Sequence, residues 1–453
     1  MSNLSSSSNL ASNPNSSPTT GVSNSQMIKA SIASVLGWSL DLFDLFILLY
    51  VAPVVGQVFF PSHVPVLSLA AVYASFAVTL IVRPLGSAIF GAYADKHGRK
   101  GAMTVAFIGV GLASASFGLL PTVDQIGIAA SIIFLVLRIV QGVFVGGVVA
   151  STHTIGTESV PAKWRGTMSG LIGGGGAGLG ALFASIVYLI VTQLFPGEAF
   201  NGWGWRVMFF SGILSSVMGI FVFKSLEESP LWKQLKKEKE NKKTVQIQPE
   251  LEKSPVKIIF TKYRSVFFVN LMIVFGGGAG YYLTSGYLPT LLKMVNKINP
   301  TTASFILMGA SVVAIITPIA LGYLSDQIGR KKTFLIIGVI NVIALPVLGL
   351  GLGHATSISA IAFYAIVFSG LGNAGYAPVM IFLNERFPTA IRSTGTGISW
   401  NTGFALGGIM PTFVSLVSSV TGGIPVALAC FLVGIYLIFI IGSIIIPETK
   451  GNF

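Results

Sequence analysis

An all-α membrane protein of twelve transmembrane helices, arranged as two pseudo-symmetric six-helix bundles, is the fold class this sequence predicts. Three observations predict it. Apolar segments of about 20 residues, long enough to cross about 30 Å of hydrocarbon, recur between short polar breaks. Only 9% of the 453 residues are charged and 53% are hydrophobic. A soluble chain carries about 25% charge, so most of this surface must face lipid. Finally, two polar loop signatures each occur twice, at nearly one common spacing.

The elements follow in order. Residues 1–27 are rich in Ser, Asn, Thr and Pro. They hold too little apolar surface to offset the entropy of ordering, which predicts a disordered tail. The tail has no Lys or Arg before Lys29 and no apolar run, so it does not read as a signal peptide. Spans are expected near 28–54, 68–93, 102–120, 128–155, 166–194 and 205–224, making a first bundle over 28–224. A polar linker occupies 225–264. Six more spans, near 265–290, 302–325, 333–352, 357–383, 393–420 and 424–446, make a second bundle over 265–446 before a tail at 447–453. The 53 glycines suit close helix packing in lipid. The single cysteine, Cys430, lies in an apolar run and reads as a small buried hydrophobe.

The net charge of +13 does not read as nucleic-acid binding, because the basic residues sit in short clusters between apolar runs. With the amino terminus inside, the inner loops hold Lys96, Arg99, Lys100, Lys163, Arg165, Arg330, Lys331, Lys332, Arg386 and Arg392, and the outer loops only Arg206, Lys293 and Lys297. This asymmetry places both termini in the cytoplasm of a multi-pass cell-membrane protein. The linker lysines Lys236, Lys237, Lys239, Lys242 and Lys243 fall on the same side.

The internal repeat decides the architecture. Residues 91–100 read G-A-Y-A-D-K-H-G-R-K, and 322–332 read G-Y-L-S-D-Q-I-G-R-K-K. Asp95, Gly98 and Arg99 match Asp326, Gly329 and Arg330. A second pair, E-S-V-P-A-K-W-R at 158–165 and E-R-F-P-T-A-I-R at 385–392, matches Glu158 and Arg165 with Glu385 and Arg392. Glycines such as Gly91, Gly98 and Gly329 permit sharp turns and close helix contact. The aspartates can accept hydrogen bonds at a helix amino terminus. Arg99, Lys100 and Arg330 lie near the acids Glu158 and Glu385. The doubled pattern is expected to form an interdomain latch that breaks and reforms.

These loops resemble the signature of the major facilitator superfamily. Further stretches are similar to its metabolite:proton symporter branch, which includes transporters of citrate, 2-oxoglutarate, shikimate and proline betaine. They are G-W-S-L-D-L-F-D at 37–44, R-P-L-G at 83–86, R-I-V-Q-G-V-F-V-G-G at 138–147, G-W-R at 204–206, E-E-S-P at 227–230, Y-Y-L-T-S-G-Y-L-P-T at 281–290 and F-P-T-A-I-R-S-T-G-T-G-I-S-W-N-T-G-F-A-L-G-G at 387–408. Sialate, lactate and sugar porters are similar too. The branch usually has Glu-Trp-Tyr-Asp where this chain has Asp41, Leu42, Phe43 and Asp44, and an acid where it has Val148. The resemblance implies proton-coupled symport of a small metabolite by alternating access.

Charged groups in hydrocarbon cost roughly 2.5–3.5 kcal/mol each, so they persist for a reason. Asp41, Asp44, Arg83 and Arg138 are the four placed inside spans. Asp41 and Arg83 each sit about 18 Å from the inner boundary, near mid-membrane, at about 1.5 Å rise per residue. Asp41 and Asp44, three apart, face nearly the same side and cannot both ionise easily. One of them is expected to carry a proton, Asp44 slightly ahead of Asp41. Arg83 and Arg138 would pair with the acids or attract an anionic substrate, which favours an organic acid. A sugar, an amino acid or betaine, and proton-driven export are the alternatives.

In the second bundle Tyr281, Tyr282, Tyr287, Asn373 and Asn401 are the candidate substrate contacts, with Trp400 beside them, because Tyr and Asn can hydrogen-bond carboxylate or hydroxyl oxygens. His153 reads as a polar helix contact. The four histidines lack metal-ligand spacing, and no catalytic triad or phosphate-binding loop is present, so neither an enzyme nor a metal or other cofactor is expected. The expected partners are a small-molecule substrate, protons and the lipid bilayer, with the monomer as the working unit.

Overall fold

The computed structural model describes residues 23–452 other than 64, 230, 231, 235 and 239–253. Most of the expected 1–27 tail, Pro230 of the E-E-S-P stretch, and Lys239, Lys242 and Lys243 of the linker lie outside the described residues. Among those described, the spans are α1 (Asn24–Phe59), α2 (Leu67–His97), α3 (Arg99–Phe117), α4 (Ala129–Glu158), α5 (Ala162–Leu194), α6 (Phe200–Val222), α7 (Arg264–Val295), α8 (Pro300–Ile328), α9 (Arg330–His354) and α10 (Ile358–Glu385). They continue with α11, which joins Arg392–Gly408 to Met410–Val417, and α12 (Ile424–Ile445). No strand occurs among the described residues.

Several helices outrun the ends that apolarity suggested. Thus α1 reaches Phe59, α4 reaches Glu158 and α7 reaches Val295, taking Lys293 into its last turns. Loss of apolarity marks where hydrocarbon is left behind, whereas the backbone hydrogen bonds of a helix carry on into the polar zone.

The duplication is written in the packing. In the first half α1 packs on α5, α2 on α4, and α3 on α6; in the second α7 packs on α11, α8 on α10, and α9 on α12. The halves meet through α2 against α11 and α5 against α8, again a symmetric exchange. Exposed Ile81, Leu85 and Ile89 on α2, and Ile132, Val136 and Ile139 on α4, form an apolar outer surface that only lipid can cover. Cys430, expected to be buried, is exposed on α12. Outward positions of a membrane bundle are apolar too, so hydrophobicity alone does not separate them from the core.

Eleven of the described helices are apolar enough to cross a membrane, and α11 is not among them. Its Ser393, Thr394, Thr396, Ser399 and Asn401 are nonetheless fully enclosed. It is polar because protein surrounds it: α2, α4 and α7 all pack against it.

Glycines set the closest approach between halves. A Cβ on Gly170 of α5 would stand 2.1 Å from the Pro318 carbonyl oxygen of α8, and one on Gly174 would stand 2.2 Å from the Pro318 ring. No flexible side chain can move aside for the first, because the obstacle is backbone. Gly170→Ala is therefore expected to destabilise the protein by about 1–3 kcal/mol, read as a lower melting temperature in detergent. Gly434→Ala, where a Cβ meets nothing within 4 Å, should leave it unchanged.

Candidate functional site

The site begins with two helices in backbone contact. A Cβ on Gly146 of α4 would lie 2.2 Å from the Arg83 carbonyl oxygen, and one on Gly142 would lie 2.5 Å from that of Thr79. Because both positions are glycine, α4 rests on the α2 backbone, with Arg83 and Arg138 brought into the interior beside α1. Both arginines and both aspartates of α1 are at most 4% exposed.

The carboxylates serve different partners. Asp41 faces Arg83 at 3.8 Å, and neither of its oxygens receives a hydrogen bond from a described residue. Asp44 accepts hydrogen bonds from the Ser114 hydroxyl of α3 and the Gln141 amide of α4. The Gln141 carbonyl oxygen in turn accepts from Arg138 at 2.7 Å. The Arg138 guanidinium lies 4.2 Å from the centre of the Phe117 ring, a cation–π contact that offsets part of its lost hydration. Three positions on one helix thus separate a carboxylate held by neutral donors from one left with a single loose ion pair.

Beside the pair, α1, α5, α7, α8 and α10 leave a small cavity with room for about one water. Phe46, Tyr50, Tyr281, Ser285, Ser369 and Asn373 are among its walls. Tyr281 joins cavity to charge, because it lines the one and lies within electrostatic reach of Asp41 and Arg83. The hydroxyls of Tyr281 and Tyr376 and the side-chain carbonyl of Asn373 are buried with no hydrogen-bond partner. Such groups are costly to leave unmet; Tyr281 and Asn373 bring theirs to the cavity wall, and Tyr376 stands next to Tyr281 with ring centres 4.9 Å apart.

An aromatic wall crosses between the halves. His153 of α4 sits edge-on to Trp38 at 4.9 Å and to Trp400 of α11 at 4.2 Å, and Trp400 stacks on Phe404 at 4.6 Å. The Trp38 indole donates to the Gly173 carbonyl at 2.9 Å, where α5 passes through a π-turn over Leu171–Gly175. That wider turn offers a backbone acceptor an ordinary helix would keep for itself.

The end of the bundle that carries both termini is sealed by the repeated loops. Asp95 of α2 accepts from the Thr394 amide at 3.0 Å and its hydroxyl at 2.7 Å, capping α11 of the other half. Asp326 of α8 accepts from the amides of Gly166 at 2.8 Å and Thr167 at 2.7 Å, capping α5 in the same way. Arg99 bridges Asp95 and Glu158, each at 3.4 Å; Arg330 bridges Asp326 at 2.8 Å and Glu385 at 3.1 Å. Arg392 reaches across the halves to Glu158 at 3.2 Å.

A third repeat completes the pattern. Gly98 and Gly329 have positive φ, 119° and 100°, where side chains are disfavoured. A Cβ on either would stand 2.3 Å from a carboxylate oxygen, of Glu228 and of Glu448 respectively. Glu228 caps α3 through the amides of Arg99 and Lys100, and Glu448 caps α9 through those of Arg330 and Lys331. Ser229 donates to Glu158, and Thr449 donates to Glu385. Burial pushes the Glu448 carboxyl up, but the amides of Lys450, Arg330, Lys331 and Thr449 outweigh it and hold the group below its usual range. The stability it contributes is therefore present at neutral pH and is lost as the pH falls through that depressed value.

The opposite end is narrowed by Tyr73, which stacks on Tyr287 at 5.5 Å and shares a hydrogen bond with Thr290 at 2.6 Å.

Of the sequence-derived candidates, the structure brings Asp41 and Arg83 together and joins Asp44 to Arg138 through Gln141. Tyr281 and Asn373 line the cavity. Tyr282 packs between Phe76 at 5.5 Å and Phe404 at 5.9 Å. Tyr287 bonds Ser415 at 2.7 Å, and Asn401 donates to Ser87 of α2 at 2.6 Å, so these two hold helices together. Gly91 lies against the Thr394 backbone of α11. Arg165 opens the regular part of α5.

Gln141, Ser114, Tyr376, Glu228 and Glu448 were missed. Gln141 had a signal, one helical turn after Arg138, and Glu228–Ser229 resembles Glu448–Thr449. Ser114 and Tyr376 had none.

The family described as "Sugar (and other) transporter" matches residues 29–453. The "Putative proline/betaine transporter" of Staphylococcus aureus (strain COL) is 31% identical over 434 residues, 94% of this chain and 89% of that protein. The "Inner membrane metabolite transport protein YhjE" of Escherichia coli (strain K12) is 29% identical over 394 residues, 85% of this chain and 87% of that one. Among solved structures, the proton:xylose symporter XylE bound to 6-bromo-6-deoxy-D-glucose aligns with a TM-score of 0.73 at 19% identity, covering 94% of this chain and 97% of its own. The human organic anion transporter MFSD10 aligns at 0.60 and 14%, covering 92% and 99%. These two establish the fold.

Glu158 has no exposed side-chain surface and balances two guanidinium groups. Glu158→Ala is expected to cost about 3–5 kcal/mol, because it strands buried charge. Lys163→Ala, at an exposed position, should cost less than about 0.5 kcal/mol. Melting temperatures of the two variants in one detergent compare them.

Proposed function

The chain belongs to the sugar and other transporter family of the major facilitator superfamily, a family of membrane transporters and not of enzymes, and on that premise we propose that it moves a small organic acid together with a proton. The halves alternate in opening the cavity to either side, working as a monomer in the cell membrane with both termini cytoplasmic.

The observation that carries this reading is Asp41, a buried carboxylate with no hydrogen-bond donor and one arginine 3.8 Å away. In a low-dielectric interior the two charges offset each other, and neither can change alone without several kcal/mol of cost. When Asp41 takes a proton, Arg83 loses its counter-charge and gains the capacity to pair with a substrate carboxylate. The cavity then holds the same net charge loaded as empty, which makes proton and anion binding mutually dependent. Leaving both on the other side restores the Asp41–Arg83 pair.

Asp41 suits this part better than Asp44. The Ser114 hydroxyl and Gln141 amide already occupy the Asp44 oxygens, so Asp44 with Gln141 and Arg138 acts as a fixed unit behind the exchangeable one. Tyr281, Tyr376 and Asn373 supply unpartnered polar groups for the rest of the substrate. At the end carrying the termini, the Asp95, Glu158, Asp326 and Glu385 network acts as the latch that opens inward.

A second reading, a zwitterion such as a betaine, is favoured by the aromatic wall. Trp400, Phe404 and Tyr376 lie within 5.6 Å of one another by ring centres. Such faces attract a methylated ammonium, while Arg83 takes the carboxylate in either case.

Reconstituted vesicles test the proposal. Adding the transported solute should drive proton entry in the wild type. Asp41→Asn should abolish accumulation driven by a pH gradient yet keep solute exchange, and unchanged accumulation would remove Asp41 from the mechanism. Arg83→Gln should raise the KM for a carboxylate roughly 10- to 100-fold, the loss expected for a charged hydrogen bond. A panel of carboxylates, betaines and sugars at two pH values distinguishes the substrate classes.

A further inference from the structure

The short helix Pro255–Lys262 leads directly into α7. Its buried edge, through Ile259, joins a cluster with Phe267, Phe387, Ile391 and Ala88. It thereby touches α2 of the first half and α11 of the second. The rest of its surface has a different character. Lys257, Phe260 and Lys262 are exposed, and the exposed surface continues to Arg264 and Phe268 on the first turns of α7. Phe260 is 47% and Phe268 61% exposed.

These three cations and two bare aromatic rings follow one another within twelve residues, where the short helix joins α7. No side-chain ion pair links Lys257, Lys262 or Arg264 to a described residue. The nearest acids in the sequence are Glu250 and Glu252, before the short helix, and the chain contains no Asp or Glu between Glu252 and Asp326. An occupant must match both properties: negative charge at the level of the cations, and apolar substance along the rings where α7 enters the bilayer. A soluble acidic peptide or a nucleic acid meets the first and leaves Phe268 in lipid unused.

We propose that Lys257, Lys262 and Arg264 hold the phosphate headgroup of an anionic phospholipid, with its acyl chain lying along Phe260 and Phe268. Basic residues beside apolar ones on an interfacial helix are the chemistry by which proteins select such lipids. Because the buried edge of the same helix spans both halves, the bound lipid braces the closed end against opening. That effect on transport rests on the function proposed above, whereas retention of the lipid does not.

The test uses full-length protein in bilayers of phosphatidylcholine with phosphatidylglycerol, gently extracted and weighed by native mass spectrometry. The wild type should retain phosphatidylglycerol in preference to phosphatidylcholine. Each of Lys257→Gln, Lys262→Gln and Arg264→Gln should weaken that retention about five-fold, and Phe260→Ser should weaken it with the charge intact. A control neutralising Lys29, Lys96 and Lys163, exposed on the same side, should retain it. Equal retention by the Lys257, Lys262, Arg264 triple variant would overturn the site. So would equal loss in the control, which would reduce the effect to general surface potential. Transport is measured in parallel with and without phosphatidylglycerol. Lipid retention without a transport response keeps the site and removes the brace, while absence of any solute flux bears on the proposed function alone.

Discussion

A charge that has left water inside a bilayer must find its counter-charge within the protein, and this structure is arranged around that requirement. Arg83, Arg138, Asp41 and Asp44 are enclosed by helices and face one another directly or through Gln141. Placing them there needs α4 to touch the α2 backbone, which explains glycine at 142 and 146. It also needs a shell of rings and amides to stand in for water, supplied by Phe117, Gln141 and Ser114. Packing, composition and chemistry are in this sense one problem. Two helices in backbone contact, α2 and α4, are the ones carrying the arginines.

The two halves answer that problem differently although they descend from one pattern. At the end carrying the termini the repeat is kept nearly atom for atom: aspartate caps the opposite half, arginine bridges two acids, and a distant glutamate covers the next helix start. Deep inside, the charged residues named above all lie on α1, α2 and α4, and the second half contributes tyrosines and asparagines. A symmetric hinge thus surrounds an asymmetric interior. A rocking motion needs equal levers on both sides, whereas ligand recognition needs the two walls to differ.

Much of the architecture was legible because lipid imposes a simple code. Length of apolar run, placement of lysine and arginine, and paired loop motifs give the span order and the duplication. The interior was less legible. Asp41, Asp44, Arg83 and Arg138 stood out by their cost in hydrocarbon, but nothing local says that Asp44 would be met by Ser114 of α3 while Asp41 would go unbonded. That depends on which helix faces each position. Tyr287 and Asn401 show the opposite failure: residue types suited to a ligand are equally suited to joining helices, and here they join them. Glu228 and Glu448 were hidden because the helix each one caps is remote in sequence.

The enclosed polarity of α11 bears on how the chain enters the membrane at all. A segment bearing Ser393, Thr394, Thr396, Ser399 and Asn401 has little tendency to leave the translocation channel sideways into lipid on its own. Its natural solvent is the groove lined by α2, α4 and α7, which exists only once those spans have been threaded and folded together. Biogenesis is then ordered by chemistry: ten apolar helices first build the receptor, the eleventh is handed to it, and the apolar α12 that follows anchors the product.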